Sequence, residues 1–295
     1  MASLINVAIN AAASIQVILA DAAKQISAQA ELTFSHPALE SRFLLQFVVD
    51  KNHAWLIAHA DECLSAEQFM RFYKLLNERL TGKPIAFILG TQDFWSLSLK
   101  VADCTLIPRQ DTELLVEIAL SLSLKDSANV LDLGTGTGAI ALALAKENPN
   151  WSVTGLDRVQ GAVELATENA VLNHLKVNFL QSDWFSQLST THLSSYDLIV
   201  TNPPYVEADS DYLTQGDLRF EPLCALVAAD DGLADIRTII EQSTQYLRIN
   251  GYLLIEHGHT QSEAVQALLC AVGFSQVKSF EDYNKIPRVT LACWS

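Results

Sequence analysis

From Pro108 onward the chain alternates short apolar runs with helical stretches. NVLDLG is followed by AIALALAKE, and SVTGLD by GAVELATENAVLN; then come VNFLQ, DLIVTN and YLLIEHG, and finally SEAVQALLCAVG before VTLACW. Strands separated by helices cannot close as hairpins. They return through crossovers, so they lie parallel in one sheet whose two faces are both covered by helices. The expectation for residues 109–295 is therefore an open α/β sheet, and open sheets of this kind bind ligands at the carboxyl ends of their strands.

The part before Pro108 has a different texture. Residues 1–83 carry helical signals only. Ser65 and Gln68 have the spacing of a capping box opening AEQFMRFYKLLNERL, in which Phe69, Phe72, Leu75, Leu76 and Leu80 fall on one face. Gly82 and Pro84 end that helix, and a second one, PALESRFLLQFVVDK, has Pro37 in its first turn. Residues 84–108, with the runs IAFIL and WSLSLKV, read as a hairpin linking the two parts. The apolar beginning, MASLINVAINAAASIQVILADAAKQ, is a poor signal peptide. Its first basic residue is Lys24, and Asn6, Asn10 and Gln16 interrupt the apolar run. No stretch is long enough to suggest a transmembrane helix.

Charge narrows the possible partners. A formal net charge of −15 over 295 residues is opposite in sign to the footprint of a protein that grips many phosphates. Cys63, Cys104, Cys224, Cys270 and Cys293 are scattered, odd in number and without a CxxC pair, which suits a reducing cytoplasm and gives no thiolate metal site.

Two short motifs carry the chemistry. VLDLGTGTGAIALALA places Gly134, Gly136 and Gly138 where a strand turns into a helix, so that backbone amides can approach a ligand. Asp157 ends the next strand, where a carboxylate can accept from two ribose hydroxyls. Together they indicate an adenosine-containing ligand. Gly134, Gly136 and Ala139 also satisfy a dinucleotide fingerprint, so nicotinamide or flavin binding stays open on the loop alone. The second motif is IVTNPPY. The prolines end the strand, Asn202 can offer a side-chain carbonyl, and Pro203 and Pro204 fix the backbone so that a main-chain carbonyl joins it. Two converging acceptors suit an NH2 group, with Tyr205 as a flat wall beside it.

GxGxG, a strand-terminal acid and NPPY together resemble S-adenosylmethionine-dependent methyltransferases that modify planar amino groups of DNA, RNA or protein glutamine. Over roughly residue 65 to the end, the chain is similar to the bacterial peptide chain release factor glutamine methyltransferases, the PrmC or HemK family. The resemblance rests on GKPIAFILGTQDFWSLSLKVADCTLIPRQDTELLVE, GDLRFEPLCALVAADDGL and IEHGHTQSEAVQALL. It implies a seven-stranded Rossmann-like methyltransferase sheet hinged by the β-hairpin to a helical N-terminal substrate-docking domain. It further implies transfer of a methyl group from S-adenosylmethionine to the glutamine amide nitrogen in the Gly-Gly-Gln motif of class 1 release factors, leaving S-adenosylhomocysteine, without a metal. Gly134, Thr135, Gly136, Thr137 and Gly138 would follow the methionine moiety, Asp157 would hold the ribose, and Asp183 and Trp184 would flank the adenine. Asn202, also beside the cofactor, would clamp the substrate amide together with Pro203, Pro204 and Tyr205. Gln110 stands where the family usually has proline, and Phe94, Trp95 and Arg109 lie in the segment that faces its site.

The expected partner is a release factor, with no membrane and no direct nucleic-acid binding, and the expected state is a cytoplasmic monomer. Three rivals remain: a ribosomal-protein glutamine methyltransferase, a nucleic-acid amino-methyltransferase, and a nucleotide-binding module or oxidoreductase in which NPPY has no role.

Overall fold

The computed structural model describes residues 12–29, 32 and 36–295. The chain divides into two compact units, one of residues 1–90 with 211–220, the other of residues 91–210 with 221–295. The apolar N-terminal extension lies largely outside the described residues.

The first unit is helical: α1 (Ile15–Ser27), α2 (Pro37–Val49), α3 (His53–Ala58), α4 (Ala66–Leu80) and α5 (Ile85–Leu89). Pro37 occupies the first turn of α2, where its missing N–H costs nothing. The Ser65–Gln68 capping box forms reciprocally at the start of α4. Phe69, Phe72 and Leu76 turn inward, joining Ile18, Leu44 and Leu45 in one apolar core. Arg79, only 3% exposed, is buried on the same helix. It bonds Glu40 at 2.8 Å, Asp217 at 3.1 Å and the carbonyls of Gly82 and Lys83, so its buried charge is fully answered. Asp217 belongs to the segment 211–220, which follows NPPY in sequence yet packs with the helices.

The second unit opens with a hairpin, β1 (Thr91–Phe94) and β2 (Leu97–Lys100), followed by α6 (Glu113–Ser121). The hairpin is shorter than the 84–108 read from the sequence. Ile85–Leu89 has no polar alternation to hold it extended, and it closes one helical turn capped by left-handed Gly90. With Gln110 in place of proline, Gln110–Thr112 forms a 3-10 turn ahead of α6.

The main sheet comprises β3 (Asn129–Leu133), β4 (Ser152–Asp157), β5 (Asn178–Gln181), β6 (Tyr196–Thr201), β7 (Leu247–Glu256), β8 (Ser275–Glu281) and β9 (Pro287–Cys293). Its order is β5-β4-β3-β6-β7-β9-β8; the first five strands run parallel, and β9 is antiparallel to both of its neighbours. Strand parity sorts the side chains between two cores. Val130, Leu198, Val200 and Leu254 face the core that holds α6 and α7 (Ala139–Glu147), while Leu131, Ile199, Leu253 and Ile255 face α10 (Ala234–Tyr246) and α11 (Ser262–Val272). By the same parity Asp132 and Glu256 point to the α6–α7 side. The helix between β4 and β5 is α8 (Gln160–Leu172), and a one-turn segment, α9 (Ala229–Gly232), precedes α10.

Candidate active site

β3, β4 and β6 end side by side, with Leu133 paired to Leu156 and to Thr201, so the glycine loop, Asp157 and NPPY meet at one sheet edge. Gly134, Gly136 and Gly138 have φ of +70°, +55° and +83°, a region open mainly to glycine. A Cβ on Gly134 would stand 3.6 Å from the Trp184 ring and 3.9 Å from the Asn202 carbonyl. A side chain there would fill the space between them, so glycine keeps that cradle open. The loop is held from beneath by two residues that sequence reasoning missed. Thr135 Oγ1 donates to Asp132 at 2.6 Å, and Ala141 N–H to the same oxygen at 3.3 Å. Fully buried Asn169 donates to Thr137 O at 2.9 Å and exchanges hydrogen bonds with the Lys100 backbone, joining loop and hairpin. Asp132 had a signal, an acid within an apolar strand; Asn169, in mid-helix, had none.

Asp157 Oδ2 accepts the Gly136 N–H and Oδ1 the Val159 N–H, both at 2.9 Å. Burial pushes its carboxyl above the ordinary range, and these amides pull it back. Each oxygen keeps a further lone pair for a hydroxyl. Trp184 is held in a left-handed conformation, its carbonyl accepting from Ser182 Oγ at 2.6 Å. Asn202 Nδ2 donates to Thr112 Oγ1 at 3.0 Å, and the Tyr205 hydroxyl donates to Glu256 Oε1 at 3.3 Å. Behind the loop, Gln261 Nε2 donates both to the Tyr205 carbonyl and to that of Asp231. Asp231 and its neighbours Asp230 and Gly232 are all left-handed.

A cavity open to solvent gathers these elements. Gly134 to Thr137, Asp157, Asp183, Trp184, Asn202 and Pro204 line it; Gly138, Pro203 and Tyr205 stand off its wall. Of the hairpin-region residues, Phe94 and Arg109 line the cavity, with Arg109 paired to buried Glu221 at 2.6 Å. Trp95 instead bonds Glu113 through its backbone and Glu147 through its indole. No group of His, Cys, Asp or Glu side chains that would hold a metal is found among the described residues.

Two buried carboxyls in this region are raised to about 7: Asp132 by burial and the nearby Asp157 charge, and Glu256 by burial and Asp111. Each has one oxygen without a hydrogen-bond partner, which accounts for the preference for a proton. Between pH 4 and 7 the folded chain therefore keeps protons that the unfolded chain has released, and stability falls as pH rises. Denaturant midpoints should drop steadily from pH 5 to pH 8, and Asp132→Asn should flatten much of that slope.

Residues 110–216 match the Methyltransferase small domain, and residues 14–90 match the PrmC N-terminal domain. A methyltransferase from Pyrococcus furiosus has a similar fold, with TM-score 0.51 and 17% identity over 68% of this chain and 89% of that one. A Thermus thermophilus 16S rRNA methyltransferase, solved with AdoMet and guanosine, gives 0.50 and 21% over 70% and 50%. The sheet and the Methyltransferase small domain match define the class, an S-adenosylmethionine-dependent methyltransferase. Within that class the chain is 45% identical to the release factor glutamine methyltransferase of Shewanella oneidensis, over 95% of this chain and 97% of the relative. It is 44% identical to that of Escherichia coli, over 86% and 91%. The chain belongs to the PrmC/HemK family of release factor glutamine methyltransferases.

Proposed function

We propose that the chain methylates the side-chain amide nitrogen of the glutamine in the Gly-Gly-Gln motif of class 1 release factors. The observation that carries this reading is Asn202 at the cavity wall, its Nδ2 turned to Thr112 and its Oδ1 left for an incoming NH2.

S-adenosylmethionine supplies an electrophilic methyl on a sulfonium. The glycine loop 134–138 follows its methionine part, Asp157 accepts from the ribose hydroxyls, and Asp183 and Trp184 border the adenine. An amide nitrogen is a poor nucleophile because its lone pair is delocalised. Asn202 Oδ1 and a proline carbonyl of the NPPY turn accept its two N–H groups, orient it for attack on the methyl, and stabilise the positive charge that develops on nitrogen. Pro204 and Tyr205 hold the loop in that shape. Bound S-adenosylmethionine would give up its methyl to that nitrogen, its S–C bond breaking to leave S-adenosylhomocysteine, and the surplus amide proton would pass to water. No step calls for a metal. Residues 1–83 are the part that docks the factor, residues 84–108 the linker, and residues 109–295 the catalytic domain. The enzyme acts in the cytoplasm as a monomer, and no helix of the described residues is long and apolar enough to cross a membrane.

The test is methyl-labelled S-adenosylmethionine offered in parallel with a purified release factor, a ribosomal protein preparation and oligonucleotides. Label on the release factor alone supports the reading. Label on ribosomal protein, or on nucleic acid with steep salt dependence, overturns it.

A further inference from the structure

The Tyr205 carbonyl closes the NPPY turn, and a buried side chain from far along the chain holds it. Gln261 caps the start of α11, and its carboxamide reaches back to three other points of the main chain. Nε2 donates to the Tyr205 carbonyl at 3.1 Å and to the Asp231 carbonyl at 3.0 Å, while Oε1 accepts the Gly258 N–H at 2.8 Å. The two carbonyls can only accept and the Gly258 amide can only donate, so a single orientation of the carboxamide satisfies all three. Both of its N–H groups are used on main-chain oxygens.

The backbone around this point is shaped to fit it. Gly232 lies so close that a Cβ on it would run into the Tyr205 carbonyl. Asp230 and Asp231 reach their places through left-handed φ of +52° and +54°, which L residues rarely adopt. One residue past Tyr205, the Val206 N–H donates to the Leu226 carbonyl at 2.9 Å, and the Val206 carbonyl accepts from Ala228 at 3.0 Å. At the other end of the turn, Thr201 finishes β6 with its hydroxyl donating to the Leu133 carbonyl at 2.8 Å. Asn202, Pro203 and Pro204 therefore span two fixed points, and they carry the acceptors that would take the substrate amide.

We infer that Gln261 is a positioning residue for the methyl transfer: by pinning the Tyr205 carbonyl it fixes the far end of the three residues that clamp the amide. Gln261 is not part of the cavity wall, so its effect on the reaction passes through that turn. This inference rests on the amide-clamp reading above.

Gln261→Met keeps the length of the side chain and removes all three hydrogen bonds. kcat for release-factor methylation should fall about 10- to 100-fold, the scale of loss when reacting groups are displaced by about 1 Å. KM for the release factor, and the affinity for S-adenosylhomocysteine measured by calorimetry, should stay within about threefold. Gln261→Glu keeps an oxygen for Gly258 but turns another against the two carbonyls, and it should lose at least as much. In an Asn202→Ala background Gln261→Met should cost less than about threefold, because most of its consequence passes through Asn202. A kcat loss of the same size in both backgrounds, or full activity in either Gln261 variant while Asn202→Ala is severe, would overturn the positioning role and leave the clamp standing. An active Asn202→Ala enzyme would overturn the clamp itself. Should Gln261→Met unfold, Gln261→Asn, which keeps the carboxamide but draws it back by one carbon, serves in the same double-variant cycle with the same expected dependence on Asn202.

Discussion

Replacing Asn202 by alanine is expected to lower kcat by about 10²–10³-fold, the range found when one preorganised partner of developing charge is removed. Binding of S-adenosylhomocysteine should change much less than kcat, because most of the contacts expected to hold the cofactor lie at the ends of β3 and β4 and in the turn after β5, with Asn202 only beside it. The split between kcat and KM is the informative part. An oriented acceptor whose hydrogen bond strengthens as nitrogen becomes positive acts on kcat, whereas a residue that merely holds the substrate acts on KM. Asn202→Asp keeps an acceptor oxygen but has no N–H for Thr112. It should also be slow, which separates the directional argument from a simple need for oxygen at that position. Steady-state kinetics on a purified release factor, with circular dichroism to confirm folding, checks both variants.

The second large effect is expected at Asp157. Its carboxylate already holds the Gly136 and Val159 amides, each at 2.9 Å, so it sets the loop's shape as well as facing the cavity. If Asp157 takes the ribose hydroxyls as proposed, Asp157→Ala should weaken S-adenosylhomocysteine by about 3 kcal/mol, roughly 100-fold in Kd. Asp157→Asn keeps one acceptor oxygen and should fall between the two. Calorimetric titration reads this directly. An alanine variant that binds as tightly as the parent would remove Asp157 from the cofactor site.

Much of the fold could be read in the sequence because it is written in local signals. Strand–helix alternation after Pro108, the Ser65–Gln68 box and the glycine turn each need only a window of about ten to fifteen residues. What escaped depends on pairing at a distance. β8, SQVKSFE, went unnoticed because it is an edge strand with one neighbour, alternating exposed and half-buried side chains and lacking an apolar run. The segment 211–220 carries no mark that it packs with the helices, since its partner Arg79 stands far back in the chain.

The site divides along the same line. The glycine loop, Asp157 and NPPY were conspicuous because backbone geometry demands glycine and proline at particular places. Their supports were not. Thr112 lies 90 residues from Asn202 and Tyr205 lies 51 from Glu256, and only the sheet order brings them together. Asp132 and Glu256 lie inside or at the end of apolar strands, where an acid signals expense without saying what it holds. The raised proton affinity of both carboxyls is the physical trace of that expense, and it becomes visible only once the neighbours are known.

The methyl group is expected on a side-chain amide nitrogen. The most direct test is tandem mass spectrometry of a release factor after incubation with the enzyme and S-adenosylmethionine, followed by acid hydrolysis of the modified peptide. One added methylene is expected on the glutamine of Gly-Gly-Gln, released on hydrolysis as methylamine. A methyl group on the peptide backbone, on another side chain or nowhere in the factor would contradict it.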